Sequence, residues 1–188
     1  MGIALDDLAE LYDLRRVVEG EYGARAVARR CASELEALRT LQSRLERAET
    51  AADPDAADMW SIHREFHWAI LAPAANPWIR RIFDQMWQSA ERYIRLLRSA
   101  HFDLVEQSVR QHRQLLEACE HGNASEIRHM IHKHLSTTEE RLCEGYRALQ
   151  QKATTQEPEG LIQSTERIND LSIEPSVHRE VIANLLRP

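Results

Sequence analysis

Apolar residues recur at steps of three and four along most of the first 150 positions of the chain. The first stripe begins at Leu8 and continues through Leu11, Val18 and Tyr22. This period places the apolar side chains on one face of an α-helix, which we expect to end near Arg30. A second stripe follows and predicts a second helix through Leu35, Leu38, Leu41 and Leu45.

Polar and proline-containing stretches predict where the next helices begin and end. Ser33, with Glu36 three residues later, predicts a capping box at the start of the second helix. Pro73 should end the third helix, because proline cannot continue the hydrogen-bonded ladder. Asn76 followed by Pro77 is typical of the N-cap and first position of a fourth helix.

The last two helices of this region are separated by a short polar turn. A fifth helix is predicted from near Leu104 to Cys119, after which Gly122 suits a left-handed helix end and Asn123 suits an N-cap. The composition agrees, since 188 residues contain only six glycines and six prolines. We therefore predict an all-α fold, an antiparallel bundle of six to seven helices.

The bundle is expected to occupy residues 1–150, with a second region at residues 151–188. In that region QQKATTQEPEG is typical of a solvated linker. The following SIEPSVHREVIANLL predicts one short amphipathic helix, which either docks on the bundle or frays.

The charge balance and the cysteines limit the classes of partner. The chain has 24 Lys and Arg against 30 Asp and Glu, a net charge of −6 with neutral histidines. Direct nucleic-acid binding needs a basic surface, so we expect none. No apolar run reaches the roughly 18 residues of a membrane span. Three separated cysteines and the lack of a signal-peptide pattern favour a cytoplasmic protein.

Four histidines are candidates for a metal site. His63 and His67 lie four residues apart in SIHREFHWAI, which places them on one stripe of the third helix. They could form a packed pair of imidazoles, or they could be two ligands of one cation. His112 and His134 each lie on the apolar stripe of their own helix. Unpartnered buried imidazoles are costly, and a shared divalent metal would satisfy all four. The other five are expected at the surface: His101, His121, His129, His132 and His178.

Three motifs, in order, resemble a known family. They are LYDLRRVVE in the first helix, HREFHWAILAPAANPWI across the third and fourth, and QHRQLLEACEHGNASEIRHMIHKHL across the fifth and sixth. Over residues 5–149 the chain is similar to the FCD domain, the all-helical effector-binding domain of GntR-type bacterial transcription regulators of the FadR subfamily. The resemblance implies a central metal and ligand pocket and a homodimer.

The same resemblance implies which residues bind the metal. Matched by position, His67, His112 and His134 are ligands, and His63 occupies the place of the family's Asp. A site of four neutral histidines, or of three if His63 does not bind, suits a divalent transition metal. Zn²⁺ is the first candidate, with Ni²⁺, Co²⁺ and Cu²⁺ as the others.

The family usually binds small carboxylates over the metal, which implies a role for two further residues. Arg15 could hold the carboxylate, and its alternative role is an ion pair with Glu19, one helical turn away. Tyr93 could line the pocket, or it could simply pack in the core.

The function implied by the resemblance is sensing of a carboxylate metabolite for a GntR/FadR-type regulator. The winged helix-turn-helix of such regulators is not found in the sequence, which starts near the expected linker, so DNA binding is expected to belong to another chain or segment. The alternative is a freestanding metal-dependent lyase or hydrolase that reuses the pocket. Glu65 would point away from the histidines, and we identify no catalytic residue. A helical oligomerisation module with structural histidines is a third hypothesis.

Overall fold

The computed structural model describes residues 5–50, 57–99 and 105–155. Its elements are six α-helices: α1 Leu5–Ala26, α2 Ala32–Glu49, α3 Ala57–Leu71, α4 Pro77–Ser99, α5 Val105–His121 and α6 Ala124–Thr155. A 3₁₀ turn, Ala72–Ala74, joins α3 to α4. These residues contain no β-strand, so the predicted all-α bundle is confirmed.

The predicted starts of α4 and α6 are confirmed by their hydrogen bonds. The Asn76 side-chain oxygen accepts from the backbone N–H groups of Trp78 and Ile79, both at 3.0 Å, and Pro77 is the first residue of α4. Asn123 caps α6 in the same way. Gly122 before it has φ of 67°, the left-handed conformation that glycine adopts without strain.

The start of α2 differs from the prediction. The helix begins at Ala32, two residues before the expected position, and the capping box is made by Cys31 and Glu34 rather than by Ser33 and Glu36. The Glu34 carboxylate accepts from the backbone N–H of Cys31 at 2.8 Å. A glutamate at the third helical position can satisfy this N–H whatever the N-cap side chain is, and cysteine is not one of the usual N-cap residues.

Helix α3 lies in the middle of the bundle, packed against α1, α2 and α4. Its Phe66 is fully buried in one apolar core with Tyr12 of α1, Phe83 of α4 and Leu135 of α6. Burying a large apolar side chain of this kind contributes about 1.5–3 kcal/mol. Polar side chains on the inner stripe of α3 are therefore shielded from solvent by neighbouring helices.

Two glycines of α1 allow α6 to approach closely. A Cβ atom at Gly20 would lie 2.6 Å from Nε2 of His132, and one at Gly23 would lie 2.5 Å from Cδ1 of Ile131. The His132 imidazole is 3.1 Å from the backbone oxygen of Arg16, to which its N–H can donate. His132 is therefore half-buried, and the surface position predicted for it is wrong.

By its internal contacts the chain divides into two units, Met1–Leu149 and Gln150–Pro188. Helix α6 continues to Thr155, and the predicted short amphipathic helix lies outside the described residues, as do His101 and His178. The division at residue 150 stays a prediction. None of the helices in the described ranges has the length and apolar content needed to cross a membrane.

Candidate metal centre

Three helices bring the four candidate histidines together inside the bundle. His63 and His67 come from α3, His112 from α5 and His134 from α6, and all four side chains are buried. Nε2 of His112 lies 3.1 Å from Nε2 of His63 and 3.3 Å from Nε2 of His67. One nitrogen from each of the four rings falls within a span of 4.8 Å.

The two distances from His112 fit a single metal ion. Around a transition metal with M–N bonds of about 2.0–2.1 Å, neighbouring nitrogens lie about 2.8–3.4 Å apart, and opposite ones at most about 4.2 Å. Nitrogens at the 4.8 Å limit of the cluster would therefore have to approach each other by about 0.6 Å to share one ion. Two imidazole lone pairs that face each other at 3.1 Å repel unless a proton or a cation lies between them. The donor set is therefore suited to a cation bound by imidazole nitrogens.

An oxygen atom lies close to the outward-facing Nδ1 of three of the rings. Nδ1 of His67 is 3.1 Å from Oε2 of Glu19, and Nδ1 of His134 is 3.1 Å from Oε1 of Gln111. An Nδ1–H that donates to such an oxygen leaves the Nε2 lone pair free to face the cluster. The hydrogen bonds of these rings therefore favour the tautomer that a metal requires.

His112 is held through a serine. Its Nδ1 lies 3.4 Å from Oγ of Ser108 and 3.5 Å from Oε1 of Glu49, and the Ser108 hydroxyl donates to that same Glu49 oxygen at 2.6 Å. Glu49 is the last residue of α2 and is buried. The imidazole of α5 is thereby oriented by a carboxylate from a helix that carries none of the four histidines.

Burial lowers the pKa values of three histidines of the cluster, His63, His67 and His134. Burial, followed by the proximity of His112, lowers the pKa of His63 well below its usual value, and the pKa of His134 is lowered for the same reasons. For His67 burial also dominates, and its pKa falls to about 4 although Glu19 opposes the shift. Neutral imidazole is the form that binds metals.

Next to the histidines lies a buried ion pair of α1. Nε of Arg15 donates to Oε1 of Glu19 at 2.7 Å, and the guanidinium lies over the rings of Tyr12 and Trp87, about 5 Å from each centroid. Burial alone would raise the pKa of Glu19, but Arg15 and the hydrogen bond with His67 outweigh it and lower this pKa to about 2. Burial raises the pKa of Tyr12 to about 12.

A cavity of about 50 Å³ opens beside the cluster. His63, His67, His134 and Arg15 line it, and most of its remaining wall consists of Glu49, Trp60, Trp87, Ile94, Gln107, Ser108, Gln111, Thr137, Thr138 and Arg141. Tyr93 does not line it, and its partly buried side chain packs against the apolar core instead. Glu65 is exposed on the opposite side of α3, as expected, and so are His121 and His129 on their helices.

Sequence reasoning missed the residues behind the histidines. Ser108 lies one turn before His112, a spacing that places both on one face of α5 and that could have indicated the contact. Gln111 and Glu49 could not be found from spacing, because each lies on a different helix from the histidine that it contacts. Glu19 was considered only as the partner of Arg15, and its second contact, with His67, was not.

The model of the FCD domain matches residues 10–137. Among curated proteins none matches the chain.

Solved structures share the fold. A GntR family transcriptional regulator from Pseudomonas syringae pv. tomato aligns with a TM-score of 0.67 and 22% identity, over 82% of this chain and 62% of that one. The E. coli protein McbR/YncC gives a TM-score of 0.65 and 21% identity, over 74% and 65%. A GntR protein of Streptococcus agalactiae gives 0.59 and 20%, over 74% and 62%. The chain thus spans less than two thirds of the length of each of these structures.

Proposed function

This chain belongs to the FCD domain family, and from that premise we propose that it is the metal-dependent effector-binding domain of a GntR-type transcriptional regulator. The observation that carries the proposal is the buried four-histidine cluster beside a cavity. Ligand control of a regulator requires a site whose occupancy favours one arrangement of helices over another. A cation held by α3, α5 and α6 would link three helices of the bundle at one point.

The metal is a divalent transition metal, with Zn²⁺ first and Ni²⁺, Co²⁺ or Cu²⁺ as the other candidates. Imidazole nitrogens are preferred by these ions, whereas Mg²⁺ and Mn²⁺ prefer carboxylate oxygens. His63 supports this choice, because it brings a nitrogen to the place where the family resemblance expects an Asp. When bound, the ion would supply a positive charge and open coordination positions for an anion.

The effector is a small carboxylate. Four neutral ligands and the nearby Glu49 leave the charge of a divalent cation only partly neutralised, and the guanidinium of the Arg15–Glu19 pair lies on the cavity wall. The contact of Glu19 with Nε orients this guanidinium and leaves its Nη1 and Nη2 atoms as further donors. In this proposal Arg15 has both of its expected roles, because it pairs with Glu19 and also binds the carboxylate.

The domain acts as a homodimer through one face of α1 and α4. Leu14 and Val17 of α1 and Trp78 and Ile82 of α4 are large apolar side chains left exposed, and the two helices pack side by side. The charges around them are complementary: Glu10 and Asp13 are exposed on α1, and Arg81 and Arg92 on α4. A twofold axis that places α1 against the partner's α4 would bury the exposed apolar side chains and bring the opposite charges together.

Metal analysis of the purified chain tests the first part of the proposal. We expect about one transition metal per chain, and loss of that metal on changing His67, His112 or His134 to Ala, whereas the exposed His129→Ala keeps it. His63→Ala shows whether four histidines bind or three. A wild-type protein that stays empty after addition of zinc or nickel contradicts the metal centre.

A thermal-shift screen of carboxylates on the metal-loaded chain tests the second part. A ligand at 100 times its Kd adds about 2.7 kcal/mol, or roughly 5–11 °C in Tm for a chain of this size. Hits recovered chemically unchanged after long incubation support sensing. Conversion of a hit would support the alternative of a metal-dependent lyase or hydrolase.

A further inference from the structure

The cavity has one polar wall that leads away from the histidines. On α6, His134, Thr138 and Arg141 follow one another at successive turns, and all line the cavity. Seven residues of α-helix rise about 10 Å, so this wall runs from the cluster to Arg141. Gln107 and Ser108 of α5 line the same stretch, whereas aromatic and aliphatic side chains of α3 and α4 form the other side.

Arg141 places a second guanidinium at the outer end of this wall. Its Nε donates to Oε1 of Gln107 at 3.2 Å, and its ion pair with the exposed Glu144 is long, at 3.8 Å. Exposed pairs of this kind contribute little, so Glu144 neutralises Arg141 only weakly. The hydrogen bond with Gln107 of α5 holds the Arg141 side chain at the cavity wall.

Positive charge lies at both ends of this wall. At the inner end a divalent cation would bring two positive charges, Glu49 offsets one of them, and Arg15 and Glu19 cancel each other. One positive charge therefore remains near the histidines, and one lies at Arg141. Between them Ser108, Gln107 and Thr138 contribute neutral hydrogen-bonding groups to the wall.

The cavity is small and opens to solvent near Arg141, whose side chain is half exposed. Its volume of about 50 Å³ is well below the roughly 150 Å³ of a cavity that encloses a benzene ring. An acid bound at the histidines would therefore extend into the opening, where Arg141 lies.

We propose that the effector is a short dicarboxylate, with one carboxylate at the metal and Arg15 and the other bound by Arg141. This inference rests on the proposed function of carboxylate sensing and adds the second anionic group. A guanidinium can bind a carboxylate through two parallel charge-assisted hydrogen bonds, so Arg141 favours a dicarboxylate over a monocarboxylate of equal length.

The test is calorimetric titration of the zinc-loaded full chain with matched acids: malonate against propionate, and succinate against butyrate. Wild-type protein should bind at least one dicarboxylate about tenfold or more tightly than its monocarboxylate partner. Arg141→Gln should reduce this preference to about threefold or less while changing monocarboxylate affinity by less than about twofold. The control is Arg147→Gln, an exposed arginine on the same helix that does not line the cavity.

Three outcomes would overturn the inference. Equal affinity for the two acids of each pair excludes a second anion site, and a preference that survives Arg141→Gln assigns it to another residue. Failure of every acid to bind to a zinc-loaded chain would remove the proposed carboxylate sensing as well. Chelation of zinc by free malonate is the same for all three proteins, so it cannot produce a difference between them. Melting curves of the variants verify that each is folded.

Discussion

Glu49 affects the candidate metal centre without belonging to the four-histidine cluster. Through Ser108 it fixes the ring of His112, and its other carboxylate oxygen is buried without a hydrogen bond among the described residues. Partners of this kind orient a ligand and raise its basicity, and their loss typically weakens metal binding about 10–100-fold. We predict that range for Glu49→Gln and for Ser108→Ala, measured as zinc affinity by competition with a chromophoric chelator.

The control for this prediction is Glu65→Gln, which removes a carboxylate from the exposed side of α3. Its zinc affinity should equal that of the wild-type chain. If Ser108→Ala binds zinc as tightly as the wild type while the fold is intact, then the hydrogen bonds behind His112 have no role in orienting it.

The buried histidines make the metal-free protein sensitive to acid. His67 has a folded pKa of about 4 against an ordinary value of 6.5, and the folded pKa values of His63 and His134 are also lowered, first of all by burial. The unfolded chain therefore binds more protons below about pH 6.5. Stability falls as pH drops from about 6.5 towards the folded pKa values, by up to about 1.4 kcal/mol per pH unit for each histidine.

Chemical unfolding in the presence of a chelator, at pH 7.5 and pH 5.5, measures this loss. His63→Gln should flatten the dependence, because one lowered pKa is removed, whereas the exposed His129→Gln should leave it unchanged. The Glu19 carboxylate, with a pKa lowered to about 2, acts only below about pH 4.5 and does not interfere. Equal unfolding free energies at the two pH values would contradict the prediction.

Among the elements, α1 and α6 depend on each other's shape. Gly23 has Ile131 and Ile127 so close that a larger side chain must displace them. We predict that Gly23→Val lowers the free energy of unfolding by about 1–3 kcal/mol through overpacking. Ile131→Ala alone should cost about 2–5 kcal/mol by leaving a cavity.

The control is the double variant Gly23→Val with Ile131→Ala. The valine can occupy part of the space that the shortened residue 131 leaves, so each change reduces the effect of the other. Its destabilisation should be smaller than the sum of the two single effects by about 0.5–3 kcal/mol. Simple additivity in denaturant unfolding would show that the two side chains do not meet.

The helices of the described residues could be predicted where local chemistry decides them. The Asn76–Pro77 and Gly122–Asn123 signals act within one turn of the chain, and both gave the correct helix starts. The start of α2 was predicted two residues late, because Ser33 is a usual cap and Cys31 is not. The hydrogen bond that the Cys31 N–H donates to the Glu34 carboxylate decided between them, and N-cap preferences do not include such a bond.

The candidate site was predictable only in its innermost part. His63 and His67 share a stripe by spacing, and the family resemblance connected them with His112 and His134. The acids behind them were not foreseen, because Glu49 reaches His112 across the contact between α2 and α5. Which helices become neighbours depends on the packing of the whole bundle, and a periodic pattern carries no information about that choice.

At the scale of the whole molecule, α1 connects the candidate metal centre with the proposed dimer face. Its inner side carries Arg15 and Glu19, and its outer side carries Leu14 and Val17. We predict that the wild-type chain is a dimer and that Ile82→Glu converts it to a monomer. The new charge would be buried in an apolar contact opposite the partner's acidic α1. Sedimentation or light scattering measures the change.

Ala37→Glu, which adds the same charge on an exposed face of α2, should leave the dimer intact. A wild-type chain that remains monomeric at concentrations of tens of micromolar, or an Ile82→Glu dimer, would show that this face is not the contact.

The position of the cavity also affects the order in which ligands come and go. The cavity that borders His63, His67 and His134 is the same one whose wall ends at the exposed Arg141. An ion that enters along this wall must arrive before an acid that fills it, and it must leave after that acid has gone. The residence time of the ion should then lengthen with the concentration of the acid, so a transient supply of the acid would retain the metal for longer than metal affinity alone allows.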